Sequence, residues 1–198
     1  LGQVHRATLH DGREVAVKVQ YPGIDETLHS DLKALGALVQ LVSKTSKHLD
    51  GSAYYDEVRN GFLAELDYVQ EGQKAALLRA ACKPFPELFV PEVIHAHTSS
   101  RVLTLEWVEG EVLKHLIQMG PSASNASRFS TSQKLIAAAW GPVLHQGVVH
   151  ADPHPGNFML MPDGRLGLID FGNVQAVPSR FVEANRASIA SALQQQVP

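Results

Sequence analysis

The 198-residue sequence predicts an α+β fold with two lobes and a cleft where they are connected. Three observations lead to this prediction. Residues 1–81 read as a β-hairpin followed by two long helices. A proline-rich segment and one buried strand come next, and a helix with a second hairpin follows. We therefore expect an amino-terminal lobe over residues 1–107 and a carboxy-terminal lobe over residues 108–198.

The first lobe is predicted to open with two short strands within residues 1–20. The turn pair Asp11-Gly12 separates them and is a strong hairpin signal. Apolar residues then recur at steps of three and four between residues 25 and 48, which predicts an amphipathic helix. A similar pattern predicts one continuous second helix over residues 53–81.

The rest of the chain is predicted from its breakers and apolar runs. Three prolines within residues 83–93 predict an extended connection. Residues 101–110, RVLTLEWVEG, read as a buried strand running into a turn. Residues 120–132 are polar and read as a loop, and residues 133–146 as a helix. A loop, a strand, an Asp-Gly turn and a second strand are predicted within residues 148–174.

Composition narrows the class of protein. The chain is 44% hydrophobic and 19% charged, which is typical of a soluble globular protein. A net charge of -3 gives no basic field, so we predict no nucleic-acid partner. The single cysteine, Cys82, forms no internal disulfide and fits a reducing compartment. We expect a cytoplasmic or membrane-associated fragment, truncated at both ends, without a transmembrane segment.

A group of acidic and amide side chains indicates phosphate chemistry. Asp152 and Asn157 lie five residues apart in the loop HADPHPGN, and Asp170 lies thirteen residues beyond Asn157, across the second predicted hairpin. One amide and one carboxylate suit Mg²⁺, a hard cation that keeps phosphate and water among its ligands. Asp152 could then accept a hydroxyl proton or orient a nucleophile. Protein kinases place these groups at the same spacings.

Two other interpretations of this loop stay open. The prolines of HADPHPGN could simply brace a tight turn. Alternatively, His145, His150 and His154 could bind zinc, although no cysteine or second histidine cluster completes such a site. We expect instead that His150 is structural and forms a hydrogen bond that fixes the loop.

Lys18 is the candidate phosphate-binding cation. It lies on the second predicted strand, sixteen residues after Gly2, in the sequence VAVK. Kinases use such a lysine to bind the α- and β-phosphates and to pair with a helical glutamate. The second predicted helix offers Glu57 and Glu65, eight residues apart on roughly one face, and which of them pairs with Lys18 stays open.

The segment LTLEWVEG has the form of an adenine-binding connector. Its apolar strand would supply a purine pocket, and the backbone at Glu106 and Val108 could pair with the adenine edge. Trp107 suits a core or interface position rather than a stacking platform. The predicted nucleotide-binding set comprises Gly2, Val4, Ala16, Lys18, Glu65, Leu105, Glu106, Val108, Asn157 and Asp170.

Taken together, these motifs resemble the UbiB family, the AarF-type atypical protein-kinase-like proteins linked to ubiquinone biosynthesis. The resemblance extends from residue 1 to about residue 175. Two motifs separate the family from ordinary protein kinases: YPGI directly after the lysine strand, and ELDY at residues 65–68. The other motifs that carry the resemblance are GQVHRA, VAVKVQ, HADPHPGN and LIDFG.

The resemblance implies a partial, bilobal protein-kinase-like fold that binds ATP with Mg²⁺. It implies that Lys18 binds phosphate, that Asp152 is the catalytic-loop aspartate, and that Asn157 and Asp170 are the metal ligands. Partners would be ATP together with quinone-biosynthesis proteins, or lipid or quinone precursors at a membrane surface.

The resemblance also bears on the segment around ELDY. Glu65 and Asp67 match the family's ExD motif, which contacts an amino-terminal extension. After ELDY the family often shows Glu, Ala and a later Asn; this chain keeps Glu71 and departs from the pattern at Gly72.

The expected activity is that of an ATP-dependent phosphotransferase or ATPase, acting by hydrolysis or by small-molecule or lipid phosphorylation. Two alternatives remain. One is a small-molecule kinase of the aminoglycoside- or choline-phosphotransferase type. The other is a non-catalytic ATP-binding regulator, which would keep the site but not turn over.

Overall fold

A computed structural model of the protein describes residues 2–45, 51–64, 66–118 and 124–195. The chain divides into two compact units. The first comprises Leu1–Glu71 and Ile94–Thr104, and the second comprises Gly72–Val93 and Leu105–Pro198. Residues 72–93 thus belong to the second unit. The lobe boundary predicted from the sequence, after residue 107, places them in the first lobe.

The first unit is built on the predicted hairpin. Strands β1 (Gly2–Thr8) and β2 (Glu14–Gln20) pair antiparallel, with Val4 opposite Lys18. Gly12 has φ of 87°, a left-handed conformation that glycine adopts without steric cost. Strand β4 (Val102–Glu106), the buried strand expected within residues 101–110, lies on the other side of β2.

Three helices follow the first hairpin in the chain. Helix α1 spans Ile24–Thr45. The helix predicted over residues 25–48 is therefore confirmed as far as Thr45, and residues 46–48 lie outside the described residues. The prediction of one helix over residues 53–81 is wrong. Helix α2 (Gly51–Ala64) and helix α3 (Tyr68–Cys82) are separate.

The start of α3 has a local cause. The Asp67 carboxylate accepts the backbone N–H groups of Val69 and Gln70, at 3.0 and 3.4 Å, and Gln70 Nε2 donates to it at 3.0 Å. These are contacts of an N-cap, which begins a new helix. Tyr68, the next residue, is 1% exposed and anchors that helix start in the first unit.

The described part of the second unit contains α3 from Gly72 onward, two groups of strands and three further α-helices. Strands β3 (Leu88–Phe89), β8 (Leu166–Leu168), β7 (Phe158–Leu160) and β5 (Glu111–Val112) are hydrogen-bonded in that order, and β6 (Val148–His150) pairs with β9 (Val174–Ala176). Leu88 of β3 lies opposite Leu166 of β8 in parallel, which ties the proline-rich connection to this unit. The α-helices that follow α3 are α4 (Leu113–Gln118), α5 (Asn125–Gln146) and α6 (Ser179–Gln195).

Helix α5 starts eight residues earlier than the sequence pattern predicts, so the loop prediction is wrong from Asn125 onward. The Ser124 hydroxyl accepts the Ser127 N–H at 3.2 Å and caps the helix. The first two turns are mostly exposed and carry polar residues, so they show no apolar stripe. Gly147, with φ of 69°, ends the helix.

The core of the second unit lies beneath the second hairpin. Leu166, Leu168, Phe171 and Val174 are at most 1% exposed. Leu166 and Leu168 belong to β8, and Phe171 and Val174 follow it, so buried side chains on both sides of Asp170 fix the backbone of this segment. Among the helices of the described ranges, none combines the length and the apolar character that crossing a membrane requires.

Candidate functional site

In the first unit, the predicted nucleotide-binding residues lie on one face of the β1–β2 hairpin. Alternate residues of paired strands share a face, so the pairings Gly2–Gln20, Val4–Lys18 and Arg6–Ala16 place Gly2, Val4, Ala16 and Lys18 together. A side chain at Gly2 would collide with the Val19 carbonyl and lie 2.8 Å from the Tyr68 hydroxyl. The position therefore requires glycine, and the hairpin approaches α3 closely there.

Lys18 forms an ion pair with Glu71. Its Nζ donates to the two carboxylate oxygens of Glu71 at 2.8 and 3.0 Å. The Glu71 side chain is 7% exposed and that of Lys18 23%. The ammonium also lies 5.1 Å from the centre of the Tyr68 ring. The lysine is therefore held in one position by a buried carboxylate and an aromatic face.

Sequence reasoning missed Glu71 as the partner of Lys18. The two glutamates that it proposed, Glu57 and Glu65, have side chains that lie outside the described residues. The missed signal is Asp67 followed three residues later by Gln70, a helix-start pattern that ends α2 and opens α3. A helix that begins at Tyr68 carries Glu71 in its first turn.

The predicted strand of the connector segment LTLEWVEG is present, but one of the backbone groups expected to bind adenine is already hydrogen-bonded. Leu105 and Val108 are 7% and 6% exposed. The Glu106 N–H donates to the Glu92 carbonyl at 2.8 Å, so an adenine contact at Glu106 would use its carbonyl oxygen. Trp107 Nε1 donates to Glu109 at 2.8 Å.

In the second unit the structure brings together Asp152, Asn157 and Asp170. Asn157 ends a 3₁₀ turn over Pro155–Asn157, and its Nδ2 donates to the Asp152 carboxylate at 2.8 Å and to its carbonyl at 3.2 Å. The Ile169 N–H donates to the Asn157 carbonyl at 3.0 Å. The β7–β8 hairpin therefore returns Asp170 to the loop that holds the other two side chains.

The histidines of this loop hold backbone groups. His150 is 8% exposed, and its Nε2 lies 2.7 Å from the Asp170 carbonyl oxygen. Because a carbonyl only accepts, Nε2 carries the proton and donates. The Gly156 N–H donates to His154 Nδ1 at 3.0 Å. The hydrogen bond expected of His150 is present, and across the described ranges no cluster of three or more His, Cys, Asp or Glu side chains suits a metal ion.

The donor chemistry at Asn157 and Asp170 fits Mg²⁺. Since Asn157 Nδ2 faces the Asp152 carboxylate, Oδ1 is the amide atom that can coordinate a cation. The Asp170 carboxylate is half-buried, and its Oδ1 accepts the Gly172 N–H at 3.2 Å. An amide oxygen and an oriented carboxylate are the hard ligands that Mg²⁺ prefers, with phosphate and water completing its shell.

The fold and these residues define a kinase-like protein, and comparisons with known proteins give the family. Residues 1–197 match the model of the ABC1 atypical kinase-like domain. The chain belongs to this ABC1 atypical kinase-like family, which confirms the resemblance to UbiB proteins.

Individual relatives agree with the family assignment. The chain is 35% identical to ACTIVITY OF BC1 COMPLEX KINASE 3, a chloroplastic protein of Arabidopsis thaliana, over 90% of this chain and 25% of the relative. It is 36% identical to the probable protein kinase UbiB of Xylella fastidiosa, over 87% of this chain and 32% of the relative. The Rv3197 protein of Mycobacterium tuberculosis, whose structure was solved in complex with erythromycin, superposes with a TM-score of 0.80 at 38% sequence identity. The match covers 90% of this chain and 44% of the Rv3197 chain. The chain thus spans a quarter to a third of the length of the Arabidopsis and Xylella relatives.

Proposed function

We propose that this domain binds ATP with Mg²⁺ and acts as an ATP-dependent phosphotransferase or ATPase. The observation that carries the proposal is the ion pair between Lys18 and the buried carboxylate of Glu71. A strand lysine held by a helical glutamate is the arrangement with which kinases position the α- and β-phosphates.

The second unit would supply the metal and the nucleophile. Asn157 and Asp170 would hold Mg²⁺, which neutralises the phosphates. Asp152, fixed by its contact with Asn157, would orient the attacking hydroxyl or water. Phosphoryl transfer depends mainly on positioning and electrostatic stabilisation, so this small set of groups is sufficient.

The hairpin face of the first unit would contact the nucleotide. Gly2, Val4 and Ala16 share a face with Lys18, and Val4 is 61% exposed there, which leaves this face open to a ligand. The Glu106 carbonyl and the Val108 backbone would bind the adenine edge. Glu65 would contribute indirectly, because it matches the family's ExD motif, which contacts the amino-terminal extension.

The biological role is proposed from the family resemblance. We infer that the activity supports quinone biosynthesis, by ATP hydrolysis or by phosphorylation of a small molecule or lipid, with quinone-pathway proteins or precursors at a membrane surface as partners. The similarity to a probable protein kinase UbiB supports this assignment.

ATP hydrolysis and nucleotide binding by the full-length protein test the proposal. We expect Asp170→Asn to lower Mg²⁺-dependent hydrolysis by at least about 100-fold, because it removes a charged metal ligand. Asp163→Asn is the matched control, since it removes the same charge from an exposed turn of the same unit.

Three outcomes separate the candidate functions. Hydrolysis that depends on Asp170 supports the ATPase or kinase. Nucleotide binding without Asp170-dependent turnover overturns the enzyme and leaves the regulator. Efficient transfer to an aminoglycoside or choline, with slow hydrolysis in its absence, favours the small-molecule kinase.

A further inference from the structure

A lysine that sequence reasoning did not consider reaches the turn that follows Asp170. Lys74 lies on α3, is half-buried, and donates from Nζ to the Gly172 carbonyl at 2.5 Å. Both residues belong to the second unit, although they are 98 positions apart in sequence. A lysine that gives up part of its hydration to bind a backbone carbonyl fixes that carbonyl in one direction.

Gly172 is the conformationally least restricted residue of this turn, because it has no Cβ. Its neighbours are already fixed. The Asp170 carbonyl accepts from His150 at 2.7 Å, and the Asn173 carbonyl accepts the Ala151 N–H at 3.1 Å. Lys74 fixes the peptide between these two points, so each of the three carbonyls has a hydrogen-bond donor from another segment.

The orientation of the Asp170 carboxylate depends on the same residue. The Gly172 N–H donates to Asp170 Oδ1 at 3.2 Å, so rotation about the Gly172 backbone would change the direction of that donor. We propose that Lys74 is a positioning residue that fixes the Gly172 backbone and thereby presents the Asp170 carboxylate to Mg²⁺. This inference rests on the proposed function for its kinetic consequence, but its structural part can be measured separately.

The test uses the full-length protein with three variants. Lys74→Met removes the ammonium and keeps most of the length of the side chain, whereas Lys74→Arg keeps a charged donor. Lys83→Met is the matched control, because Lys83 is exposed and directly follows the same helix.

The first measurement is the Mg²⁺ concentration that gives half-maximal ATP hydrolysis, or half-maximal nucleotide binding if turnover is absent. We expect Lys74→Met to raise it at least about fivefold, the loss expected for one charged hydrogen bond, while the rate at saturating Mg²⁺ falls by a smaller factor. Lys74→Arg should stay within about twofold of the wild type, and Lys83→Met should match the wild type.

The second measurement is amide hydrogen exchange of peptides that cover residues 170–174, which requires no activity. Lys74→Met should accelerate exchange there, and Lys83→Met should not. Unchanged exchange overturns the inference. Faster exchange with an unchanged Mg²⁺ requirement also overturns it, because Lys74 would then be merely structural.

The two proposals fail in distinguishable ways. If Asp170→Asn removes the Mg²⁺ dependence and Lys74→Met behaves like Lys83→Met, the proposed function stands and the inference is wrong. If Asp170→Asn changes neither binding nor turnover, the proposed function fails, and the positioning of Asp170 towards Mg²⁺ fails with it.

Discussion

The two units form the same hairpin turn from the same tripeptide, Asp-Gly-Arg, at residues 11–13 and 163–165. In each turn the arginine's backbone N–H and Nε donate to the aspartate carboxylate, at 3.1 and 2.9 Å in the first and 3.0 and 2.7 Å in the second. The glycines have φ of 87° and 85°. Local sequence chemistry therefore determines the turn, whichever unit surrounds it.

The hairpins differ in how their units hold charged groups. The first positions Lys18, whose ammonium is bound by the buried carboxylate of Glu71. The second brings Asn157 beside Asp170, and the donors to the half-buried acids there include an amide side chain and a backbone N–H. A buried ion pair couples a functional residue to stability. Asp152 and Asp170 are half-buried rather than buried, so binding a cation there requires less desolvation of the carboxylates.

The largest effect is expected at Glu71. Glu71→Ala should lower the stability of the first unit by about 3 kcal/mol, because it leaves the Lys18 charge without its buried partner; this is the low end of the usual range, since Lys18 is partly exposed. Native-state hydrogen exchange of β2 would measure the change. Asp170→Asn in the second unit should cost less than about 1 kcal/mol, because the amide oxygen can still accept from Gly172. Equal losses in the two variants would contradict the comparison.

The next effect concerns the acidic loop. Asn157→Ala should weaken Mg-nucleotide binding about tenfold, because it removes a ligand oxygen and the contact that orients Asp152. His154→Ala loses only an acceptor for the Gly156 N–H and should weaken binding less. Titration of each variant with nucleotide at fixed Mg²⁺ measures both. The reverse order would restore the interpretation that the histidines bind the metal.

The features that could be predicted from the sequence are those with a local cause. Both Asp-Gly turns, the strand that carries Lys18, the buried strand within 101–110 and the hairpin that returns Asp170 to its loop are all present. In each case, neighbouring residues or a run of apolar residues determine the structure.

The features that could not be predicted depend on tertiary contacts or on exposed helical turns. Glu71 was missed because the apolar pattern continues across the break between α2 and α3, where the Asp67 cap decides the outcome. The early start of α5 was missed because its polar, exposed turns resemble a loop. Lys74 was missed because its acceptor lies 98 residues away.

The shared turns allow a direct test of their equivalence. Gly12→Ala and Gly164→Ala should each cost about 1 kcal/mol, because an L side chain in the left-handed region is strained while no atom lies within contact of the added Cβ. Hydrogen exchange of each hairpin measures the loss. Gly61→Ala, inside α2 and equally open, should instead stabilise its helix. A marked difference between the two turns would show that the surrounding unit contributes to the turn.

The smallest expected effect is the pH dependence of the same two turns. The hydrogen bonds from Arg13 lower the pKa of Asp11 below its ordinary value of 3.8, and those from Arg165 lower the pKa of Asp163 in the same way. A lowered pKa means that each carboxylate stabilises the fold above its ordinary pKa, and that this contribution is lost as the pH falls through the lowered value. Asp11→Asn and Asp163→Asn should therefore each be slightly less stable than the wild type near neutral pH, and the difference should shrink as the pH falls through the lowered pKa of each aspartate. Since both aspartates are exposed, added salt should weaken the two effects equally. Amide hydrogen exchange of each hairpin, followed against pH and salt concentration, measures them. A response in only one of the two hairpins would show that the turns are not equivalent.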